Sequence, residues 1–154
     1  MFTLREEKAL RVPGRDVWAV LDDFGAHHRF NPFIEQSSIT NGVPVGEGAE
    51  RVIRLYDGTV MRQRIVDYRP PVSMVIEVLE TTQMIRHHLI EISVTHQGDD
   101  ACQLAYTVSF QVPLGILGYP LGLYQKVVLR SRYAHVLRGL ERYVAGLQIP
   151  SSSP

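Results

Sequence analysis

Two periods divide the chain. Val17, Val20, Leu21 and Phe24 recur at i, i+3, i+4 and i+7 between Pro13-Gly14 and Gly25. That spacing predicts a helix with one apolar stripe. Trp18 sits one residue off the stripe and is expected to pack on its flank. A short helical turn is expected over 27–33, broken at Asn31-Pro32 because the residue before a proline avoids helical backbone. Near the other end, Leu129, Tyr133, Val136, Leu137, Leu140 and Val144 form a second stripe. Pro120 suits its first turn, and no further proline interrupts it before Gly146. A helix of about 26 residues spans about 39 Å.

Elsewhere the period is two. Strands are predicted over 2–12, 34–40, 50–56, 59–68, 72–80, 87–96 and 101–112. Turn residues close them: Asn41-Gly42, Asp57-Gly58, Arg69-Pro70-Pro71, Gly98-Asp99-Asp100 and Pro113. Asp-Gly favours a two-residue hairpin, because type I′ turns need positive φ at both central positions. Sequential strands on short turns pair antiparallel. The expected fold class is α+β: a curved seven-stranded antiparallel sheet wrapped around the long C-terminal helix, with two short helices after the first strand. One sheet face must be covered, and only that helix is large enough. So strongly curved a sheet on one helix is expected to enclose a cavity.

Alternation then assigns faces. Arg62 and Arg64 need water, so Met61, Gln63 and Ile65 face the helix. The same logic turns inward Arg51, Ile53 and Leu55; Met74, Ile76 and Val78; His88, Ile90, Ile92 and Val94; and Tyr106, Val108 and Phe110. In the strand over 34–40, Glu35 and Ser37 face in if Gln36 faces out. The inner list is apolar apart from Glu35, Arg51, Gln63, His88 and Tyr106. An apolar pocket with a few convergent polar groups is the usual character of a small-molecule site. A buried charge must be paired or meet a ligand. Glu35 with Arg51, or either with Gln63, is one arrangement. The other puts Arg51 near a sheet end, snorkelling to water. His88 and Tyr106 either line a pocket or fill satisfied core or rim positions.

Composition narrows the classes. The 154 residues carry 16 basic and 16 acidic side chains, 45% hydrophobic and 21% charged residues, and one cysteine, Cys102. One domain over 1–149 with a disordered tail over 150–154 is expected. A single cysteine excludes an intrachain disulfide framework, and a cytoplasmic location fits. Charged residues at 5–8 argue against a signal peptide, and no apolar run approaches the roughly 20 residues of a membrane span. Neutral total charge argues against a dedicated nucleic-acid binder. Locally the balance differs: Lys126, Arg130, Arg132, Arg138 and Arg142 face one Glu141 in the last helix. That basic face suits transient contact with an acidic partner or membrane headgroups.

No catalytic triad, phosphate loop or nucleotide fingerprint is present, and no cofactor is expected. His27-His28 and His87-His88 invite a metal reading. Adjacent strand residues point to opposite faces, so His87 and His88 cannot grip one ion, and no metal is expected. Gly115, Gly118 and Gly122 lie among Ile, Leu and Tyr. They read either as a plain apolar loop or, with 81–84 including Gln83 and Met84, as a gate over a cavity mouth. In the second case Tyr119, Leu123 and Tyr124 reach a ligand or a membrane surface.

The sequence resembles the START-like, or SRPBCC, superfamily. The resemblance rests on Val12-Pro13 followed by Asp16-Val17-Trp18-Ala19-Val20-Leu21-Asp22-Asp23-Phe24, on Phe30-Asn31-Pro32-Phe33, and on Val45-Gly46-Glu47-Gly48. Asp57-Gly58, Arg64-Ile65-Val66-Asp67, and Leu137, Leu140 and Tyr143 complete it. It covers about residues 2–146; Phe30 departs mildly from the Trp common there. It implies a helix-grip fold with an internal cavity for an apolar ligand, and members divide between binders and enzymes.

Three functions follow as expectations. The first is a carrier of a hydrophobic small molecule: a lipid, isoprenoid or polyketide-like compound. The second is a cofactor-free polyketide cyclase/aromatase or dehydratase. There His88 or Glu35 moves a proton and Arg51 and Tyr106 place a carbonyl or enolate oxygen. The third is an interaction domain working through the basic helix. Oligomeric state is left open.

Overall fold

The computed structural model describes residues 1–83, 85–113 and 118–148. The elements run β1 (Phe2–Leu10), α1 (Gly14–Asp22), a 3-10 turn (Phe24–Arg29), β2 (Ile34–Ile39), β3 (Glu50–Leu55), β4 (Val60–Arg69), β5 (Ser73–Thr81), β6 (Arg86–His96), β7 (Cys102–Gln111) and α2 (Tyr119–Gln148). All seven strands form one antiparallel sheet in the order β1-β7-β6-β5-β4-β3-β2. This is the helix-grip arrangement expected from the alternating pattern. The expected tail over 150–154, together with Gly115 and Met84 of the expected gate, lies outside the described residues.

The sheet buries one face because its strands alternate. In β1, Leu4 and Leu10 are buried while Arg5 and Glu7 are exposed. On the outer face of β3 to β5, Arg62 meets Glu80 at 2.9 Å and Glu50 at 3.5 Å, and Arg64 pairs with the same Glu50. Those charges fix the parity of the strands that carry them. Against the inner face, α2 buries Leu129, Val136, Leu137, Leu140 and Val144, the stripe anticipated from its 3.6-residue period.

At the flank, α1 buries Val17, Trp18 and Leu21. Tyr68 of β4 tilts against Trp18, with ring centroids 5.9 Å apart, and donates its hydroxyl to Asp22 Oδ1 at 2.6 Å. Close approach explains two helix glycines. A Cβ at Gly139 would lie closer than 3.0 Å to the Phe30 carbonyl oxygen, and one at Gly122 would overlap the Phe2 ring. Gly118 is likewise pressed on the Pro113 carbonyl.

Two strand irregularities matter for function. β2 pairs Ile34 with Leu55 but Gln36 with Arg54, so Glu35 is an extra residue in a bulge. β6 pairs Arg86 with Gln111 but Leu89 with Ser109, placing both His87 and His88 against one β7 residue. His87 takes positive φ, 49°, there. Bulges of this kind re-aim side chains.

Candidate functional site

A cavity lies between the inner sheet face and α2. Its sheet wall holds Arg51, Ile53 and Leu55 of β3, Met61 and Gln63 of β4, Ile76 of β5, His88, Ile90 and Ile92 of β6, and Tyr106 of β7. Leu129, Arg132, Tyr133 and Val136 of α2 close it, and His27, Asn31, Phe33, Ile34 and Gln83, which lies between β5 and β6 in the chain, also line it. Its volume is about 80 Å³. An apolar cavity of about 150 Å³ accepts benzene, so a ring-sized ligand needs wall side chains to move. Met61 is the most adaptable of them, with its unbranched thioether chain.

Arg51 is the central polar feature. It is 4% exposed. Its Nε donates to Gln63 Oε1 at 2.9 Å and its Nη1 to the Phe24 carbonyl at 2.8 Å. The guanidinium lies over the Phe24 ring, 4.1 Å from the centroid. No described carboxylate lies within ion-pair distance of it. Burial draws its pKa down to about 10, so it stays charged at neutral pH. A buried, charged arginine held by neutral acceptors presents unbalanced positive charge to the cavity.

Tyr106 and Tyr133 stack at a tilt, centroids 5.3 Å apart. Burial raises both phenol pKa values well above the ordinary range, with the Arg51 charge opposing the rise in each. Both therefore remain protonated donors. His27 Nε2 lies 2.7 Å from the Leu21 carbonyl. A carbonyl only accepts, so Nε2 carries the proton. Burial first, then the Arg51 charge, hold the His27 pKa well below its usual value. His88 is different. It is 2% exposed, neither ring nitrogen has a hydrogen-bond partner among the described residues, and burial lowers its pKa to about 4.

Of the residues expected at a site, Arg51, Ile53, Met61, Gln63, Ile76, His88, Ile90 and Tyr106 are brought together on the cavity wall. Met74, Val108 and Phe110 are buried on the same sheet face but away from the cavity. Glu35 is on the outside. The bulge turns it away from Arg51, and its carboxylate lies 3.8 Å from Arg54 with 38% of the side chain exposed. Tyr119, Leu123 and Tyr124 are also outside, exposed near the start of α2, where Tyr119 meets Phe2. The basic face of α2 is partly neutralised, Arg130 by Glu6 at 3.1 Å and Arg132 by Asp57 at 3.4 Å. No group of His, Cys, Asp and Glu among the described residues is arranged to hold a metal ion. No helix among them is long and apolar enough to cross a membrane.

Several wall residues escaped the alternation argument. Tyr133, Leu129 and Val136 were on the recognised helix stripe, and that stripe was the available signal. His27, Asn31 and Gln83 come from turns, where no period exists. Arg132 sits beside the stripe, its guanidinium 5.5 Å from the Phe33 ring centroid.

A seven-stranded antiparallel sheet gripping one long helix around a polar-spotted cavity is the START-like, helix-grip fold. The chain belongs to the polyketide cyclase/dehydrase and lipid transport family, whose profile matches residues 1–145. The fold is shared with an aromatase/cyclase, Zhui, from Streptomyces sp. R1128: TM-score 0.81, 17% identity, covering 94% of this chain and 93% of that one. A START superfamily protein from Mycobacterium smegmatis gives a TM-score of 0.77 at 16% identity, covering 95% and 99%. A Thermobifida fusca protein gives 0.80 at 24% identity, covering 96% of each chain. No curated protein matches in sequence.

Proposed function

We propose that the chain binds a small, mainly apolar molecule bearing an acidic or carbonyl oxygen, and that Arg51 holds that oxygen inside the cavity. The supporting observation is the buried guanidinium whose hydrogen bonds among the described residues go to Gln63 and a backbone carbonyl. Such a charge is costly to keep, and a ligand oxygen offsets the cost. Family membership supports the same class of ligand, since lipid transport is among its functions. The ligand is carried rather than turned over, and no cofactor is needed. A cytoplasmic location is part of this reading, with Cys102 buried and unpaired.

The test is mass spectrometry of the protein purified under native conditions, beside the Arg51→Met variant. A co-purifying acidic or carbonyl compound present in wild type and absent in the variant is expected. The same compound in both proteins would remove Arg51 from the binding role.

One observation favours the enzyme reading. Tyr106 and Tyr133 are protonated donors beside Arg51, a set suited to stabilising an enolate in a cyclase/aromatase or dehydratase. Against it, a histidine with a pKa of about 4 is a weak base at neutral pH, and no hydrogen bond from the described residues orients His88. Turnover of a polyketide-like substrate that disappears in Arg51→Met would decide for the enzyme.

A further inference from the structure

We infer that the cavity reads a hydroxyl group at its β6 end through His88 and Gln83, so that its ligand is bipolar, with an acidic or carbonyl oxygen on Arg51 and a hydroxyl on His88 and Gln83. The inference rests on the binding role proposed for Arg51 and specifies the other end of the ligand.

Two side chains on the wall of this cavity have buried polar atoms without partners among the described residues: both ring nitrogens of His88, and Oε1 of Gln83. Leaving such atoms unpaired costs more than making an ordinary hydrogen bond gains. His88 lies three strands from Arg51, with the β4 and β5 strands between. Strands are about 4.8 Å apart, so the two backbones are separated by roughly 14 Å along the sheet. Ile76 and Ile90 supply apolar wall between them. The cavity thus has a cationic pole at Arg51, apolar wall, and a neutral polar pole at His88 and Gln83, while its other cation, Arg132, is paired with Asp57.

The chemistry of the second pole selects its partner. A neutral imidazole offers one N–H and one lone pair, and the Gln83 oxygen offers an acceptor. An anion would face the imidazole lone pair and the amide oxygen. An ammonium has no lone pair for the imidazole N–H and would be repelled by Arg51. A hydroxyl donates to the amide oxygen or the imidazole nitrogen and accepts from the imidazole N–H. One of these modes is open to a hydroxyl in either histidine tautomer.

The experiment is isothermal titration with two matched pairs of probes of different length: benzoate against para-hydroxybenzoate, and phenylpropanoate against para-hydroxyphenylpropanoate. Wild type, His88→Phe, Gln83→Leu and Arg51→Met are compared, with circular dichroism to confirm each is folded. In at least one pair the hydroxyl should tighten binding to wild type about tenfold. That advantage should fall below about twofold in Gln83→Leu and in His88→Phe. The quantity compared between proteins is the ratio within each pair, not the affinity of the unsubstituted acid, and Arg51→Met should lose both acids. If the acids bind through Arg51 but the hydroxyl adds nothing, or its advantage survives both variants, the inference is overturned while the role of Arg51 stands. If none of the probes binds in an Arg51-dependent way, the role of Arg51 and this inference both fall.

Discussion

Replacing His88 by phenylalanine should make the ligand-free protein more stable, and increasingly so in mild acid. The ring is 2% exposed and sits edge-on to Phe110, centroids 6.4 Å apart, so an aromatic ring without nitrogens fits the same packing. At pH 7 the gain comes from removing polar atoms that have no partner, about 1–3 kcal/mol. The pH dependence is the sharper part. Burial lowers the folded pKa of His88 to about 4 from the ordinary imidazole value of 6.5. The unfolded chain therefore binds the proton first as pH falls, and wild type loses stability from about pH 6.5 down to about 4. Linkage makes the loss about 2 kcal/mol at pH 5 and about 3 kcal/mol at pH 4. His27 is also buried and titrates low, but it is present in both proteins and cancels in their difference. Urea unfolding of both proteins at pH 7 and pH 5 measures the gap at each pH. It should widen by about 2 kcal/mol at pH 5, where most carboxylates are still ionised. A gap that stays constant would mean that His88 is hydrated or partnered in solution, and would refute the reasoning.

Three further outcomes are expected. Arg51→Met should change the ligand-free stability by less than about 2 kcal/mol in urea unfolding, because losing the hydrogen bonds and ring contact is offset by removing a buried charge. A loss above about 4 kcal/mol would show that Arg51 is there for the fold. Gly139→Ala should lower stability by roughly 2 kcal/mol or more, read as a fall in Tm, because its Cβ meets the Phe30 carbonyl rather than a flexible side chain. Glu35→Gln should shift stability by no more than about 1 kcal/mol, the scale of an exposed ion pair, and should leave binding of the aryl carboxylates unchanged; altered binding would place Glu35 back in the cavity.

The architecture was legible because most strands had a charged side that could only be solvated, while uncharged β7 offered Thr107 and Ser109. Arg62, Arg64, Glu77 and Glu91 set the parity of three neighbouring strands, and the opposite parity then had to face α2. That is why Arg51, Gln63 and Tyr106, unusual residues for an inner face, could be placed from their neighbours. Period two says which face a residue takes but not how far along the strand the cavity lies. Met74, Val108 and Phe110 have the right face and the wrong depth for that reason. The error at Glu35 has another cause. The bulge between Ile34 and Gln36 inserts one residue, and nothing in Ile34-Glu35-Gln36 announces it.

The same kind of irregularity accounts for the polar pole at His88. A regular β6 would oppose each β7 residue with one residue, but here His87 and His88 share the space opposite Phe110. His87 absorbs the extra length in left-handed backbone and stays at the surface, while His88 is delivered to the interior. Positive φ at a residue with a side chain carries a cost of about 1 kcal/mol or more, and the imidazole it helps place inside has no partner among the described residues. Neither feature stabilises the ligand-free fold, and two adjacent costs of this kind are what a binding site requires when the compensating contacts come from the ligand. The Arg51 pole follows the same logic from a regular strand, with a charge in place of the strain. The two poles therefore lie where the fold gives up stability, and the apolar wall between them lies where it gains it.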